Sequence, residues 1–148
     1  EEFGGLPDPE SPWDDVYLLS LDEDRVWTGD PECDVCREDE VYVLVLGEWR
    51  DIAHGHLPLE GISESWKSDT GPIEVKARLF GEPITLRPQW SDDWFDLEIL
   101  RPINRVLECR GVRLLCASDV NFAIVFLSDP EKERRMREVR RFPLLNLA

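Results

Sequence analysis

The chain has 148 residues, of which 42% are hydrophobic and 33% are charged, and its formal net charge is −15. A chain of this length buries roughly 70% of the surface that it exposes when unfolded, so one complete hydrophobic core is expected without cross-links. The longest apolar runs, VYVLVLG and FAIVFLS, are much shorter than a membrane-spanning helix of roughly 20 residues. The composition excludes a disordered chain and predicts no membrane span.

The negative charge lies almost entirely at the N-terminal end of the sequence. Residues 1–40 contain 15 acidic residues and two arginines, a net charge of −13, whereas residues 41–148 have a net charge of −2. Residues 101–148 reverse the sign, to +4. This asymmetry predicts an acidic face that attracts a basic protein partner. Nucleic acid is a disfavoured partner, because the total charge repels a polyanion.

The first segment, EEFGGLPDPESPWDD, is rich in proline, glycine and acidic residues, which oppose regular structure. We therefore predict an extended acidic arm over residues 1–15 and a single domain over residues 16–148. VYLLSL (16–21) and RVWT (25–28) have the composition of strands and flank a turn of three acidic residues. They are predicted as the first two strands, with the acidic turn facing water.

Two later segments predict hairpins that turn at a Gly-Glu pair. VYVLVL (41–46) is apolar on both faces, as a central strand is, and the Gly-Glu pair after it suits a tight turn into WRDIA. IEVKARL (73–79) alternates apolar and charged residues ahead of a second Gly-Glu pair. This alternation predicts a strand with one buried face.

After Gln89 the apolar residues recur at three- and four-residue spacing, which predicts a helix over residues 92–110. Ser91 is the expected N-cap, and two aspartates follow it at the positive end of the helix dipole. Pro102 either kinks this helix or starts a second one, and Gly111 is expected to end it.

The C-terminal third predicts a hairpin followed by a polar helix. VRLLCA and FAIVFL flank a polar tetrapeptide and are predicted as buried strands at the centre of the sheet. In SDPEKERRMREVRR, Ser128 and Glu131 have capping-box spacing. The predicted fold class is α+β, with a mainly antiparallel sheet of about six to eight strands, one main packed helix and a polar C-terminal helix.

Cys33 and Cys36, in CDVC, precede the two histidines of the chain, His54 and His56, in HGH. Two thiolates and two imidazoles can bind zinc, and a CxxC turn, a hairpin and a second ligand pair follow the layout of a zinc ribbon. The HxH spacing is shorter than is usual for zinc, so half-buried cysteines that pack as small apolar residues are the alternative. A redox role is disfavoured because the surrounding acidic residues oppose thiolate formation.

Catalytic motifs are scarce in this sequence. Asp92, Asp93 and Asp96, in WSDDWFD, are explained by helix capping, and no calcium-binding spacing accompanies them. The sequence contains no GxSxG, no GxGxxG and no phosphate-binding loop. We therefore predict a non-enzymatic protein with no cofactor, and keep zinc binding and a hydrolase with an acidic cleft as alternatives.

Clustered carboxylates beside aromatic residues are typical of small proteins that bind basic toxins or nucleases. The carboxylates accelerate encounter and the aromatic side chains hold the complex. Both features occur near the N-terminus, so the predicted partner-binding residues are Trp13, Asp14, Asp15, Asp22, Glu23, Asp24 and Trp27. The alternative is that the tryptophans belong to the core and the acidic residues keep the protein in solution.

The stretch INRVLECRGVRLLCASDVNFAIVFLSDPE, a predicted helix followed by a hairpin, resembles the C-terminal layout of small bacterial toxin-immunity proteins. The resemblance covers about the last third of the chain and includes no diagnostic motif, so it transfers no functional residue. It implies an immunity or inhibitor protein that occludes a basic toxin or enzyme. A zinc-stabilised structural or adaptor domain is the second hypothesis.

The compartment is predicted from the cysteines. Four cysteines are too few for a disulfide scaffold, so reduced thiols in a cytoplasmic protein are expected. The sequence starts at Glu1 instead of Met, so we also expect a segment upstream, which can include a targeting signal.

Overall fold

The computed structural model describes residues 12–147, which contain four α-helices, six β-strands and one 3-10 turn. In chain order these are α1 Pro12–Leu19, β1 Val26–Gly29, α2 Val41–Ile52, β2 Leu59–Trp66, β3 Ile73–Leu79, β4 Glu82–Leu86, the 3-10 turn Leu97–Ile99, α3 Leu100–Glu108, β5 Arg113–Ser118, β6 Ala123–Ser128 and α4 Pro130–Glu138. No helix in residues 12–147 is long and apolar enough to cross a membrane.

The α+β class is confirmed, but the predicted single sheet is wrong in its layout, because the six strands form two separate antiparallel sheets. The first sheet has the order β1-β6-β5 and the second sheet has the order β2-β3-β4. The β3–β4 and β5–β6 hairpins are confirmed. β6 is the central strand of the first sheet, since it pairs with β1 on one side and with β5 on the other.

Strand alternation divides the core into two clusters, one on each face of the first sheet. On one face Leu115, Ile124 and Phe126 pack with Val16 of α1 and with side chains of α4 and the segment after it. On the other face, alternate residues of the same strands join α2, α3 and the second sheet in a larger cluster. β3 buries every second residue against this larger cluster, which confirms its predicted single buried face.

The predicted strand VYVLVL and its hairpin are wrong, because this segment begins α2. The buried residues Tyr42, Val45, Leu46 and Trp49 recur at three- and four-residue spacing, which is the helical period. α2 packs against β2 of the second sheet and against β1 and β6 of the first. A short apolar run does not distinguish a buried helix from a central strand. Two core helices, α2 and α3, therefore replace the one main helix of the prediction.

The predicted strand VYLLSL is also wrong, because most of it lies in α1. Residues 12–15 of the predicted extended arm are helical too, and residues 1–11 lie outside the described part of the chain. The sequence does contain a helix signal here, since Ser11-Pro12 followed by Asp14 and Asp15 is typical of a helix N-terminus. The prediction of a strand at RVWT is confirmed by β1.

The predicted helix 92–110 begins later than expected. Asp96 is the cap instead of Ser91, and its carboxylate accepts a hydrogen bond of 3.0 Å from the backbone N–H of Glu98. Pro102 lies in the first turn of α3, where an N–H group has no intrahelical partner to lose. Of the two predicted roles for Pro102, the start of a new helix is therefore the one observed.

The ends of α3 and α4 follow local signals. Gly111 has φ 77 and follows the end of α3, as predicted, because this left-handed conformation suits glycine. The capping residue of α4 is Asp129 and not Ser128, since the Asp129 carboxylate accepts a 2.9 Å hydrogen bond from the Lys132 N–H. α4 has no buried residue, which confirms its predicted polar character.

A buried asparagine joins α3 to β5 and to the C-terminal segment. Asn104 is 1% exposed, and its Nδ2 donates to the carbonyl oxygens of Leu114 (2.9 Å) and Leu147 (3.2 Å). Its Oδ1 accepts from the Leu114 N–H at 2.8 Å. Both N–H groups of the side-chain amide and its oxygen therefore have partners, which offsets the cost of burying the amide.

Glu64 of β2 caps α2 from a distant part of the chain. The residue before α2, Glu40, has φ 48 and makes no side-chain capping bond. Instead, Glu64 Oε1 accepts hydrogen bonds from the N–H groups of Tyr42 (3.0 Å) and Val43 (3.3 Å), while Oε2 accepts from Trp66 Nε1 at 2.7 Å. A carboxylate at this position satisfies unpaired N–H groups and complements the helix dipole.

Replacing Ile124 with aspartate is expected to unfold the domain. Ile124 is fully buried on the central strand, so the variant places an unpaired charge in the core at a cost of about 4 kcal/mol or more. Thermal unfolding followed by circular dichroism measures the effect. Thr28→Asp is the control, because Thr28 is the exposed cross-strand partner of Ile124 and should tolerate the change. Wild-type melting of Ile124→Asp would show that this side chain is not in the core.

Replacing Glu64 with alanine is expected to lower the free energy of unfolding by about 1–2 kcal/mol, because α2 loses its capping carboxylate. Chemical denaturation measures the difference. Glu60→Ala is the matched control, since Glu60 is an exposed residue of the same strand. Equal losses in the two variants would contradict the capping role of Glu64.

Candidate partner-binding surface

α1 presents apolar side chains to solvent on the side that faces away from the first sheet. Val16 is fully buried against that sheet, whereas Tyr17 is 49% exposed, Leu18 is 50% exposed and Leu21, in the turn after the helix, is 76% exposed. Large apolar residues of this kind are usually inside a domain, and neighbouring exposed ones are typical of binding surfaces.

Aromatic contacts extend this apolar strip toward the loop between β5 and β6. The Tyr17 ring lies 6.5 Å from the Trp13 ring and 5.4 Å from the Phe122 ring, centroid to centroid. Val120, in the same loop as Phe122, is 68% exposed. Trp13 itself is half-buried and packs against the smaller core cluster, so it supports the surface from beneath.

An acidic turn continues directly from the end of α1. Asp22, Glu23 and Asp24 are all exposed, and the turn is held by a 2.9 Å hydrogen bond from the Val26 N–H to the Asp22 carbonyl. Asp24 Oδ2 lies 3.4 Å from His54 Nε2, whereas no ion pair within residues 12–147 involves Asp22 or Glu23. We define the α1 surface as Tyr17, Leu18, Leu21, Asp22, Glu23 and Asp24.

Asp15, a predicted partner-binding residue, is engaged within the protein. Its carboxylate accepts hydrogen bonds from Arg140 Nη2 (2.7 Å) and Nε (3.1 Å), and its side chain is only 20% exposed. This hydrogen-bonded carboxylate raises the pKa of Arg140. The pair ties α1 to the segment after α4. Asp14 lies half-buried beside it and also has an interaction within the protein.

Trp27 lies on the opposite face of the first sheet from α1. Val26 packs toward α1, so strand alternation directs Trp27 to the larger cluster, where its ring meets Trp49 edge to face at 5.8 Å. Its Nε1 donates to Glu48 Oε2 at 2.6 Å, and its ring lies over Gly29, where a Cβ atom would clash with it. The structure therefore separates Trp27 from the other predicted partner-binding residues.

The structure brings together two acidic segments that sequence reasoning did not connect. Trp94, which is 38% exposed, forms an isolated antiparallel bridge with the loop after β1, and the Cys33 N–H donates to the Asp93 carbonyl at 2.7 Å. Burial and then the charges of Asp30, Asp34 and Asp93 raise the pKa of Cys33. No local sequence signal pairs these segments, because the bridge depends on tertiary packing.

The environments of the cysteines disfavour thiolates. The pKa of Cys36 is raised chiefly because its thiol donates a hydrogen bond to Asp39, so a redox role has no support from either residue.

The hairpin expected to return His54 and His56 to the cysteines is replaced by α2, whose 12 residues span about 18 Å. Among residues 12–147, no group of three or more His, Cys, Asp or Glu side chains is arranged to hold a metal ion.

Zinc binding by Cys33, Cys36, His54 and His56 stays a prediction that elemental analysis can decide. Protein purified without chelator is expected to contain one zinc per chain if these four side chains bind it, and the metal should be lost in Cys33→Ser, because a thiolate ligand is removed. Cys109→Ser is the control. A metal content far below one per chain would exclude a structural zinc site.

Comparison of the chain with protein-family models, with curated proteins and with solved structures found no significant match. The resemblance of the C-terminal third to toxin-immunity proteins therefore stays a prediction.

Proposed function

We propose that the protein is a non-enzymatic domain that binds a basic protein, as an immunity or inhibitor protein that occludes a toxin or enzyme. The observation that carries the proposal is the α1 surface, where exposed Tyr17, Leu18 and Leu21 adjoin three exposed carboxylates. A surface of this kind combines an apolar contact area with a charge that selects a cationic partner.

The two parts of the α1 surface are expected to act at different stages of binding. The carboxylates, within the −13 charge of residues 1–40, attract a cationic protein before contact and raise the association rate. Tyr17, Leu18 and Leu21 lose their water only on contact, so they govern the dissociation rate.

The contacts beneath the α1 surface support binding without a large conformational change. Val16 is fully buried, and the Asp15 carboxylate accepts three hydrogen bonds from Arg140. α1 is therefore attached to the domain at both its apolar and its polar side. A preformed surface loses less conformational entropy when a partner binds, so more of the contact energy appears as affinity.

Removing the carboxylates of the acidic turn is expected to slow association. The variant Asp22→Asn/Glu23→Gln/Asp24→Asn should lower the association rate by about tenfold at low salt, and the difference from wild type should shrink as salt screens the charges. Stopped-flow kinetics measures this with the basic protein that is captured in the native host by a photo-reactive amino acid placed at position 21. The control, Glu60→Gln/Glu82→Gln/Asp92→Asn, makes the same change of net charge at exposed sites elsewhere.

Shortening the apolar residues is expected to act on dissociation instead. Leu18→Ala/Leu21→Ala should raise the dissociation rate by about tenfold or more and leave the association rate nearly unchanged. Association rates that are equal for wild type, the turn variant and its control would reduce the acidic turn to a role in solubility. An unchanged dissociation rate in Leu18→Ala/Leu21→Ala would show that α1 is not part of the interface.

A further inference from the structure

A small cavity beside the start of β1 and the end of β6 is lined by basic side chains in this acidic protein. Its volume is about 400 Å³, within the range of small-molecule sites. Four segments line it, namely the turn before β1, the loop after α2, the end of β6 and the first turn of α4. The site is therefore built by the folded domain and not by one stretch of sequence.

The polar lining of the cavity is predominantly cationic. Arg25, His54, His56 and Lys132 line it, and Asp24 is the one carboxylate among its lining residues. Arginine and lysine carry fixed charge, and each histidine contributes ring nitrogens that can form hydrogen bonds. Arg25 and Lys132 outnumber Asp24 by one fixed charge, and Lys132 Nζ also lies 3.9 Å from Asp129 Oδ2.

The single carboxylate is already engaged by a histidine. His54 Nε2 lies 2.8 Å from the Asp24 carbonyl oxygen and 3.4 Å from its Oδ2. Because Nε2 donates to this carbonyl, Nδ1 is the ring nitrogen left for a second partner. Nδ1 donates a hydrogen bond when the ring is protonated.

The turn that presents the two histidines is held by its backbone. His54 has φ 47 and Gly55 has φ 88, a conformation that glycine adopts readily and a side chain at position 55 would oppose. The His56 N–H donates to the Ala53 carbonyl at 3.1 Å. This turn places His54 and His56 in the lining of one cavity, which includes neither Cys33 nor Cys36.

We propose that this cavity binds a small organic phosphate, with the phosphate held by Arg25, Lys132 and the two histidines. Ile52, Ala53 and Leu127 form its apolar lining and would contact the organic part of the ligand. A phosphate dianion offers more acceptor oxygens and more charge than a carboxylate, so it can pair with several of the nitrogen donors in this lining at once. This inference is independent of the proposed protein partner.

The experiment titrates the isotope-labelled full chain with phenyl phosphate in the presence of EDTA at constant ionic strength. We expect saturable NMR shifts at the imidazoles of His54 and His56 and at the amides of Arg25 and Lys132. Arg25→Gln/Lys132→Gln should weaken binding by at least about tenfold, because two fixed charges are lost. Asp24→Asn should strengthen binding by a few fold, since it removes the opposing charge.

Matched controls separate a built site from general charge attraction. Lys67→Gln/Arg78→Gln removes two exposed cations elsewhere and should leave the affinity unchanged. Benzyl alcohol should not bind, and phenylacetate and inorganic phosphate should bind more weakly than phenyl phosphate. Equal weakening by both double variants, equal binding of benzyl alcohol or phenylacetate, or the absence of saturable shifts would overturn the proposal. Equal affinity for inorganic phosphate would overturn the assignment of an organic ligand.

The two proposals fail independently of each other. Asp24 belongs both to the α1 surface and to the cavity, but its removal has opposite expected effects at the two sites. Loss of phenyl phosphate binding in Arg25→Gln/Lys132→Gln with unchanged association of a basic protein would leave the protein-binding proposal intact.

Discussion

The carboxylate of Glu64 fixes the helix on which both sheets depend. α2 contacts the first sheet through β1 and β6 and the second sheet through β2, so its position sets the distance between them. The helix begins without a local cap, and its first N–H groups bond to a side chain that comes from the second sheet. The start of α2 can therefore be completed only when β2 is in place. Local and tertiary structure are coupled at this point, which favours cooperative folding.

The parts of the fold that follow local rules could be predicted from the sequence. The β3–β4 and β5–β6 hairpins carry alternating or continuous apolar runs with turn residues between them, and α4 carries its own start signal at Asp129 and Pro130. α2 could not be recognised in this way. Its β-branched residues favour a strand locally, and the helix is stabilised by burial against two sheets and by Glu64, which no local window includes.

The candidate site was predictable only in its location. The acidic and aromatic composition of residues 12–27 marks the region that contains the α1 surface. Which of the predicted residues belong to the α1 surface depends on contacts that composition does not encode. Asp15 is bound by Arg140 from the other end of the chain, and Trp27 turns to the larger core cluster because α1 is a helix that covers the Val26 face of β1. Reading α1 as a strand also concealed the apolar strip, since Tyr17, Leu18 and Leu21 share a surface only when residues 12–19 are helical.

The hydrogen bond from Asn104 to the Leu147 carbonyl has a consequence for synthesis of the chain on the ribosome. Asn104 is buried, and the more distant acceptor of its Nδ2 is Leu147, which lies 43 residues further along the chain and is itself 4% exposed in the larger cluster. While residues after β6 are still in the exit tunnel, α3 and the first sheet can approach each other, but the amide of Asn104 lacks one of its partners. We expect a nascent chain that ends before residue 144 to stay open to proteases, because the segment that carries Leu145 and Leu147 supplies partners to Cys116 and Asn104 and so closes the larger cluster.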